Sequence, residues 1–334
     1  MVVCGDHVPR PVRSDHQGLT VHRLPIWRTL SHTPIDPRWP RWLRRIIAAE
    51  QPDVLNAHAP VVFMADAVAL VAGRRPFVVT WHAATLDKPA APLLAAVTRA
   101  YTAVQRLTFR RADRIIAVSP YVQQALGRWS AKTRVVPNAV PAVAAPRPAA
   151  GEGLVFIASL RVAHAWKGLD LLLDTLAGYR TRYGPPPVLT VMGDGDDRPR
   201  YERRVAELGL SSVVRFAGHV PPAERDRLLR AARVLVACPV TANDAFPTVL
   251  LDAWSQGVPV VAAAIGPIPS LVDDGRTGLL VAPGEPAPLA AALHRLVTDA
   301  GLAGALGEAG RQLVAREYTW PPQITRTLDV FREL

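Results

Sequence analysis

Short apolar runs of strand length alternate with amphipathic segments of helix length along most of the chain, and this alternation restricts the fold more than any other feature. A strand followed by a helix and another strand favours a parallel sheet, because a parallel neighbour is reached only by a crossover. In the first half the expected strands are Val54 to Ala57, Phe77 to Trp81, Ile115 to Val118 and Thr133 to Val136. Arg41 to Glu50, Ala59 to Ala72, Leu93 to Arg111 and Tyr121 to Arg128 read as helices. A tract with Pro137, Pro141, Pro146, Pro148, Gly151 and Gly153 breaks the pattern and reads as a linker.

Beyond it the alternation resumes. Strands are expected at Leu154 to Ala158, Val188 to Met192, Val213 to Ala217, Val234 to Ala237, Val258 to Ala262 and Gly278 to Val281. Helices are expected at Leu169 to Arg182, Arg200 to Leu208, Pro222 to Ala231, Pro247 to Gln256, Ala287 to Thr298, Leu302 to Glu317 and Pro321 to Arg332. The chain is therefore expected to be α/β, with doubly wound domains at 1–145 and 146–318 and a terminal helix, 319–334, packing back on the first. Its 334 residues suit two domains of roughly 150 residues each. Open α/β sheets bind ligands at the carboxyl ends of their strands, so the site should face the linker, in a cleft between the domains.

Charge and cysteine content exclude several classes. Residues 1–150 hold 20 Lys and Arg against 8 Asp and Glu, a net of +12, whereas residues 151–334 hold 19 against 20. Such a field attracts phosphates, anionic lipids or nucleic acid. Arg99, Arg106, Arg110, Arg111 and Arg114 accompany Tyr101, Leu107 and Phe109, and Arg38, Arg41, Arg44 and Arg45 interleave with Trp39 and Trp42. Basic residues mixed with tryptophan suit an interfacial membrane contact or an acidic acceptor; no nucleic-acid recognition motif accompanies them. Cys4 and Cys238, the only cysteines, exclude a disulfide framework and a cysteine zinc site. The start lacks the apolar core and cleavage site of a signal peptide, and the apolar stretch Val61 to Ala72 is interrupted by Asp66 and too short to span a bilayer. A cytoplasmic protein, either soluble or bound peripherally at the inner face of the membrane, is expected.

Two clusters suggest chemistry. Arg161 and Lys167, the latter one of three lysines with Lys88 and Lys132 among 36 arginines, lie on a loop leading into a helix, where free N–H groups and a positive dipole end suit a diphosphate. In Asn243-Asp-Ala-Phe-Pro-Thr-Val-Leu-Leu-Asp-Ala-Trp254, Pro247 fits the first helical position, so the N–H groups of Thr248 and Val249 should point out of the helix start. Asp244 and Asp252 flank that start; the plainer reading makes Asp244 a helix cap and Asp252 a solvated residue. Asp194-Gly195-Asp196 has the form of a divalent-metal motif, and Gly193-x-Gly195 that of a dinucleotide fingerprint, but Arg198 occupies the third glycine position. Neither a metal nor nicotinamide is expected.

Arg161 with Lys167-Gly168, Gly193-Asp194-Gly195, Phe216-Ala217-Gly218, Asp244-x7-Asp252 and Gly257-Val-Pro-Val-Val261 together resemble the C-terminal domain of the family 4 retaining glycosyltransferases, which have the GT-B fold. Asp53-Val-Leu-Asn-Ala-His58, Thr80-Trp81-His82, Ala112-Asp-Arg-Ile-Ile-Ala-Val-Ser119 and Val136-Pro137-Asn138 resemble that family's acceptor domain. The resemblance implies transfer of a sugar from a nucleoside-diphosphate sugar to a lipid, glycan or small-molecule acceptor, with retention of configuration and no cofactor or metal. Arg161 and Lys167 would hold the diphosphate with the Thr248 and Val249 amides. Asp252 would bind the ribose, Asp244 the donor sugar, His82 would sit beside both sugar and diphosphate, and Val220 and Phe246 would line the donor. The sequence departs from the pattern where Asp replaces the usual Glu at 244 and 252, Ser270 the Glu after Gly-x-Pro, and Ala139 the Gly after Asn138. Relatives also carry a strand, a Gly-Gly loop and a helix ahead of anything like Val2-Val-Cys-Gly5, so the reading frame is expected to start upstream. The alternative is a catalytically impaired nucleotide-sugar-binding or membrane-surface module.

Overall fold

The computed structural model describes the chain except residues 31–32, 61–62, 85–91, 142 and 148–150, and divides it into two compact units, Met1–Val136 with Arg326–Leu334, and Pro137–Thr325. Lys88, Pro148 and the side chain of Arg99 lie outside the described residues.

In the first unit, β1 (Val2–Asp6), β2 (Val12–His16) and β3 (Leu19–Pro25) form a sheet in the order β1-β3-β2. A ribbon of β4 (Arg28–Leu30) and β5 (Thr33–Ile35) follows. Next come α1 (Trp39–Glu50), β6 (Leu55–Ala59), α2 (Met64–Val71), β7 (Phe77–Trp81), α3 (Pro92–Arg111), β8 (Arg114–Ala117), α4 (Pro120–Ala125) and β9 (Thr133–Val135). The last four strands make a parallel sheet, β6-β7-β8-β9, in which β7 is buried on both faces. The helix expected from Ala59 begins only at Met64, because Ala59 completes β6. The five strands before α1 were not expected. β2 and β3 are joined by Gln17 and Gly18, both at positive φ (53° and 79°), as a tight hairpin requires, and Asp15 Oδ1 accepts the Gly18 N–H at 3.2 Å.

Side-chain packing redraws the expected basic face. Trp39 is fully buried with Leu24, Leu43 and Ile46, its Nε1 donating to Pro25 O at 3.0 Å, and Tyr101 and Phe109 are buried too. Arg38 forks onto Asp36, Arg111 donates to the Gly73 and Arg75 carbonyls, and Arg114 pairs with Glu333. What remains exposed and, among the described residues, without such a partner is Arg41, Arg44 and Arg45 on α1, and Arg106 and Arg110 with Leu107 on α3, whereas Arg38 is exposed but held by Asp36.

The second unit contains β10 (Leu154–Ile157), α5 (Leu169–Tyr183), β11 (Leu189–Met192), α6 (Arg198–Glu207), β12 (Val214–Gly218), α7 (Pro222–Ala231), β13 (Val234–Ala237), α8 (Thr248–Ser255), β14 (Val260–Ala263), β15 (Gly278–Val281), α9 (Pro286–Thr298) and α10 (Ala300–Glu317). Its six strands are all parallel in the order β12-β11-β10-β13-β14-β15. Leu172, Leu173 and Leu176 of α5 and Leu289, Leu293 and Leu296 of α9 are fully buried against it, each stabilising the fold by about 1.5–3 kcal/mol. Strand order reverses between β10 and β13, and the crevice outside their carboxyl ends is where such sheets bind ligands.

The change of unit falls at Pro137, ahead of the position expected from the Pro/Gly tract, because the tract itself is bonded to the second unit. Val140 N donates to Tyr318 O at 2.9 Å, Ala144 N to Ser255 O at 3.0 Å and Arg147 Nη2 to Ala232 O at 2.9 Å. A last helix, α11 (Trp320–Arg332), ends in the first unit, where Val330 packs with Val78, Ile116 and Val136, and Glu333 pairs with Arg114 and Arg134.

Candidate functional site

At the switch point, the loop after β10 runs from exposed Arg161 through a 3₁₀ turn, Val162–Lys167, to Gly168. Gly168 has φ +87°, and a Cβ there would lie 1.9 Å from Cys238 O. Only glycine lets the start of α5 close on the end of β13. That approach sets Lys167 Nζ 2.5 Å from Asp244 Oδ2, across 77 residues of sequence, with the two side chains 28% and 18% exposed. Nζ also lies 4.4 Å from the centre of the Trp166 ring. An ammonium has three N–H donors, so Lys167 can hold Asp244 and still present two to an anion.

Asp244 therefore does not act as a helix cap. Pro247 occupies the N-cap of α8 rather than its first helical position, and Thr248 opens the helix. The Thr248 and Val249 N–H groups have no acceptor within the helix and stand at its positive end. Phe246 is 6% exposed, its ring 6.2 Å from that of Tyr318, so its side chain belongs to the core. Asp252, one turn into α8, is not solvated: Arg225 Nη1 of α7 lies 3.4 Å from its Oδ1. Burial raises its pKa above the ordinary carboxylate value, with Arg225 opposing and Asp226 adding to the shift. The two carboxylates thus make separate ion pairs. Arg225, which carries no sequence signal because its role depends on how α7 lies beside α8, is an additional site residue. Val220 is half-buried in the turn between β12 and α7.

The Asp194-Gly195-Asp196 carboxylates are engaged locally. Asp194 accepts the Gly195 N–H at 2.8 Å and lies 3.2 Å from Arg198 Nη1, and Asp196 accepts the Val162 N–H at 3.0 Å.

In the first unit, His82 follows β7 and its N–H donates to Ala59 O at 2.8 Å. Its Nε2 lies 2.8 Å from Nδ1 of His58, near the carboxyl end of the adjacent β6, with the ring planes 17° apart. One nitrogen must donate and the other accept, so at least one imidazole is neutral. Burial, and then the charge on His58, pushes the His82 pKa down to about 4, and burial lowers that of His58. From the sequence alone His58 is only part of the Asp53–His58 segment and carries no role. Its signal was the alternation of β6, which places Asn56 and His58 on one face with His58 beside Thr80 in register.

Two α/β units, each carrying a parallel, Rossmann-like sheet, are the architecture of the GT-B class of glycosyltransferase folds. Residues 1–142 match the family described as Glycosyltransferase Family 4, and residues 151–299 the one described as Glycosyl transferases group 1. The chain belongs to glycosyltransferase family 4. The UDP-bound structure of HepE from Anabaena superposes with a TM-score of 0.71 at 21% identity, over 94% of this chain and 85% of that one. Sucrose-phosphate synthase from Thermosynechococcus elongatus gives 0.75 at 20%, over 98% and 86%. D-inositol 3-phosphate glycosyltransferase of Streptomyces bingchenggensis is 39% identical over 166 residues, 48% of this chain and 35% of that protein. D-rhamnosyltransferase WbpZ of Pseudomonas aeruginosa is 29% identical over 301 residues, 86% of this chain and 75% of its own length. The chain thus aligns with well under half the length of the inositol-phosphate relative.

Proposed function

We propose that the chain transfers a sugar from a nucleoside-diphosphate sugar to an acceptor, with retention of configuration and without a metal or cofactor. The observation that carries this is the Lys167–Asp244 pair at the carboxyl ends of β10 and β13, next to the free N-terminal amides of α8. Sugar transfer builds negative charge on the departing diphosphate. Cations and N–H groups fixed beforehand around those oxygens lower the barrier most, each contributing about 3 kcal/mol. Lys167, Arg161 and the Thr248 and Val249 amides fill that role, the leaving phosphate accepts the acceptor's proton on the same face, Asp244 orients the donor sugar and Asp252 the ribose. With His58 Nδ1 donating to its Nε2, His82, neutral near pH 7, keeps its Nδ1 N–H for a ligand without adding charge. Because the HepE complex contains UDP, UDP is the first nucleotide to test.

The experiment is a melting-temperature screen with UDP, GDP and ADP. A shift with one of them that Lys167→Ala abolishes, with transfer falling about 10²–10³-fold, is the expected outcome. No shift with any nucleotide refutes the reading, and binding without turnover replaces it with that of a non-catalytic module. The exposed Arg41, Arg44, Arg45, Arg106 and Arg110 favour a second component, a cytoplasmic enzyme held at an anionic membrane face or drawn to an acidic acceptor rather than to nucleic acid. Among the described residues no helix is long and apolar enough to cross a membrane. Co-sedimentation with vesicles containing phosphatidylglycerol, absent with phosphatidylcholine alone, checks it.

A further inference from the structure

At the opposite, amino-terminal edge of the second sheet, three arginines stand close together, each bonded to backbone carbonyls rather than to a carboxylate. Arg147 donates from Nη2 to Ala232 O at 2.9 Å and from Nη1 to Gly257 O at 3.3 Å, just ahead of β13 and β14. Arg230, at the end of α7, donates to Pro146 O at 3.3 Å, beside Arg147, and Arg233 donates from Nε to Gly151 O at 2.7 Å. Arg230 thus bonds the residue before Arg147, and Arg147 bonds the residue before Arg233, so the three lie beside one another. Among the described residues none of them is in an ion pair: the neighbouring Glu308 is taken by Arg311 at 2.6 Å, and Glu152 makes no salt bridge.

The donors are also incompletely used. Arg230 Nη1 and Arg233 Nη1 are both buried with no hydrogen-bond partner. A buried donor left unpaired is costly, and three like charges held together by neutral carbonyls repel one another with nothing to offset it. Burial holds the Arg147 guanidinium below its ordinary range, and the charges of Arg230 and Arg233 act in the same direction. Guanidinium forks in such a group match a tetrahedral oxyanion of charge near −2, whose oxygens accept several N–H bonds at once.

We propose that Arg147, Arg230 and Arg233 form an anion site that takes a phosphate group, supplied by a small phosphorylated solute or by a phospholipid headgroup. Its place at the amino ends of β10, β13 and β14 separates it from the diphosphate-binding loop at their carboxyl ends. An anion bound there is the counter-charge that ties Pro146, Arg147 and Gly151 to α7 and to the starts of β13 and β14. The site does not rest on the proposed transfer reaction.

The test melts the purified chain in inorganic phosphate and in pyrophosphate, against potassium chloride of equal ionic strength, and floats it with vesicles of phosphatidylcholine with and without phosphatidic acid. The variants are Arg230→Gln, which loses a single long bond, and Arg147→Gln, with far-UV circular dichroism confirming that each folds. A saturable rise of about 2–4 °C at phosphate a few-fold above Kd, absent from both arginine variants and retained in Lys167→Ala, is expected for a free-phosphate site. Flotation only with phosphatidic acid, lost in the same variants, identifies the headgroup as the source and equally supports the site. A shift or flotation that both arginine variants keep, or that only Lys167→Ala removes, overturns it, as does no response to either form of phosphate.

Discussion

Replacing Gly168 by alanine tests the link between fold and site. The added Cβ meets Cys238 O at 1.9 Å, a backbone atom that cannot swing aside, at a φ of +87°. The left-handed conformation alone costs about 1–2 kcal/mol for a residue with a Cβ. Forcing the start of α5 away from the end of β13 adds about 1–3 kcal/mol of overpacking. The total, about 2–5 kcal/mol, corresponds to a fall in Tm of about 5–15 °C for a domain of this size. Because Lys167 precedes Gly168, the same displacement separates it from Asp244 and weakens nucleotide binding. The control is Gly178→Ala on the exposed side of α5, where a Cβ meets nothing within 4 Å. There alanine should stabilise by about 0.5–1 kcal/mol. Differential scanning calorimetry of the two variants reads opposite signs if the reasoning holds. A neutral Gly168→Ala, or equal falls in both, refutes it.

For His82, the folded pKa of about 4 lies below the ordinary 6.5, so the folded chain binds fewer protons between those values. The stability contributed by the neutral imidazole is complete above about 6.5 and is lost as pH falls towards about 4. Denaturant titrations from pH 7.5 to 4 should show this decline, and His82→Asn should flatten it; parallel curves for the two proteins would be the wrong result. At Asp252 burial works against the charged form at neutral pH, so Asp252→Asn should leave Tm at pH 7.5 unchanged or raise it while nucleotide affinity falls about 10–100-fold, the loss of a charge-assisted hydrogen bond. A variant with a markedly lower Tm would make the Arg225–Asp252 pair a structural one instead.

The parts of the fold that could be read from the sequence are those whose pattern is local. β7 is apolar but for Thr80 and β13 wholly apolar, and the observed limits of both coincide with the expected ones. β2 is not an apolar run: Val12-Arg-Ser-Asp-His16 carries one apolar residue, so the Gly18 of its hairpin turn has no alternating strand before it to mark. Trp39 looked like a surface residue because composition does not record facing; only the packing of α1 on Leu24 shows that the indole is interior. In the site, Lys167 and Asp244 were chosen from separate motifs, but their pairing depends on β10 and β13 being neighbours, a property of strand order. The partners of Asp252 and His82 were hidden for the same reason.

The seam at Gly168 has a practical consequence. Cys238 is fully buried there, its Sγ donating to Gly168 O at 3.2 Å and its pKa pushed up to about 12 by burial, so the thiol is inert while α5 stays seated. Cys4, half-exposed, reacts independently. A Cys4→Ser chain would therefore carry one native thiol whose alkylation rate clocks the opening of the loop between β10 and α5, and a nucleotide bound as proposed would slow the clock.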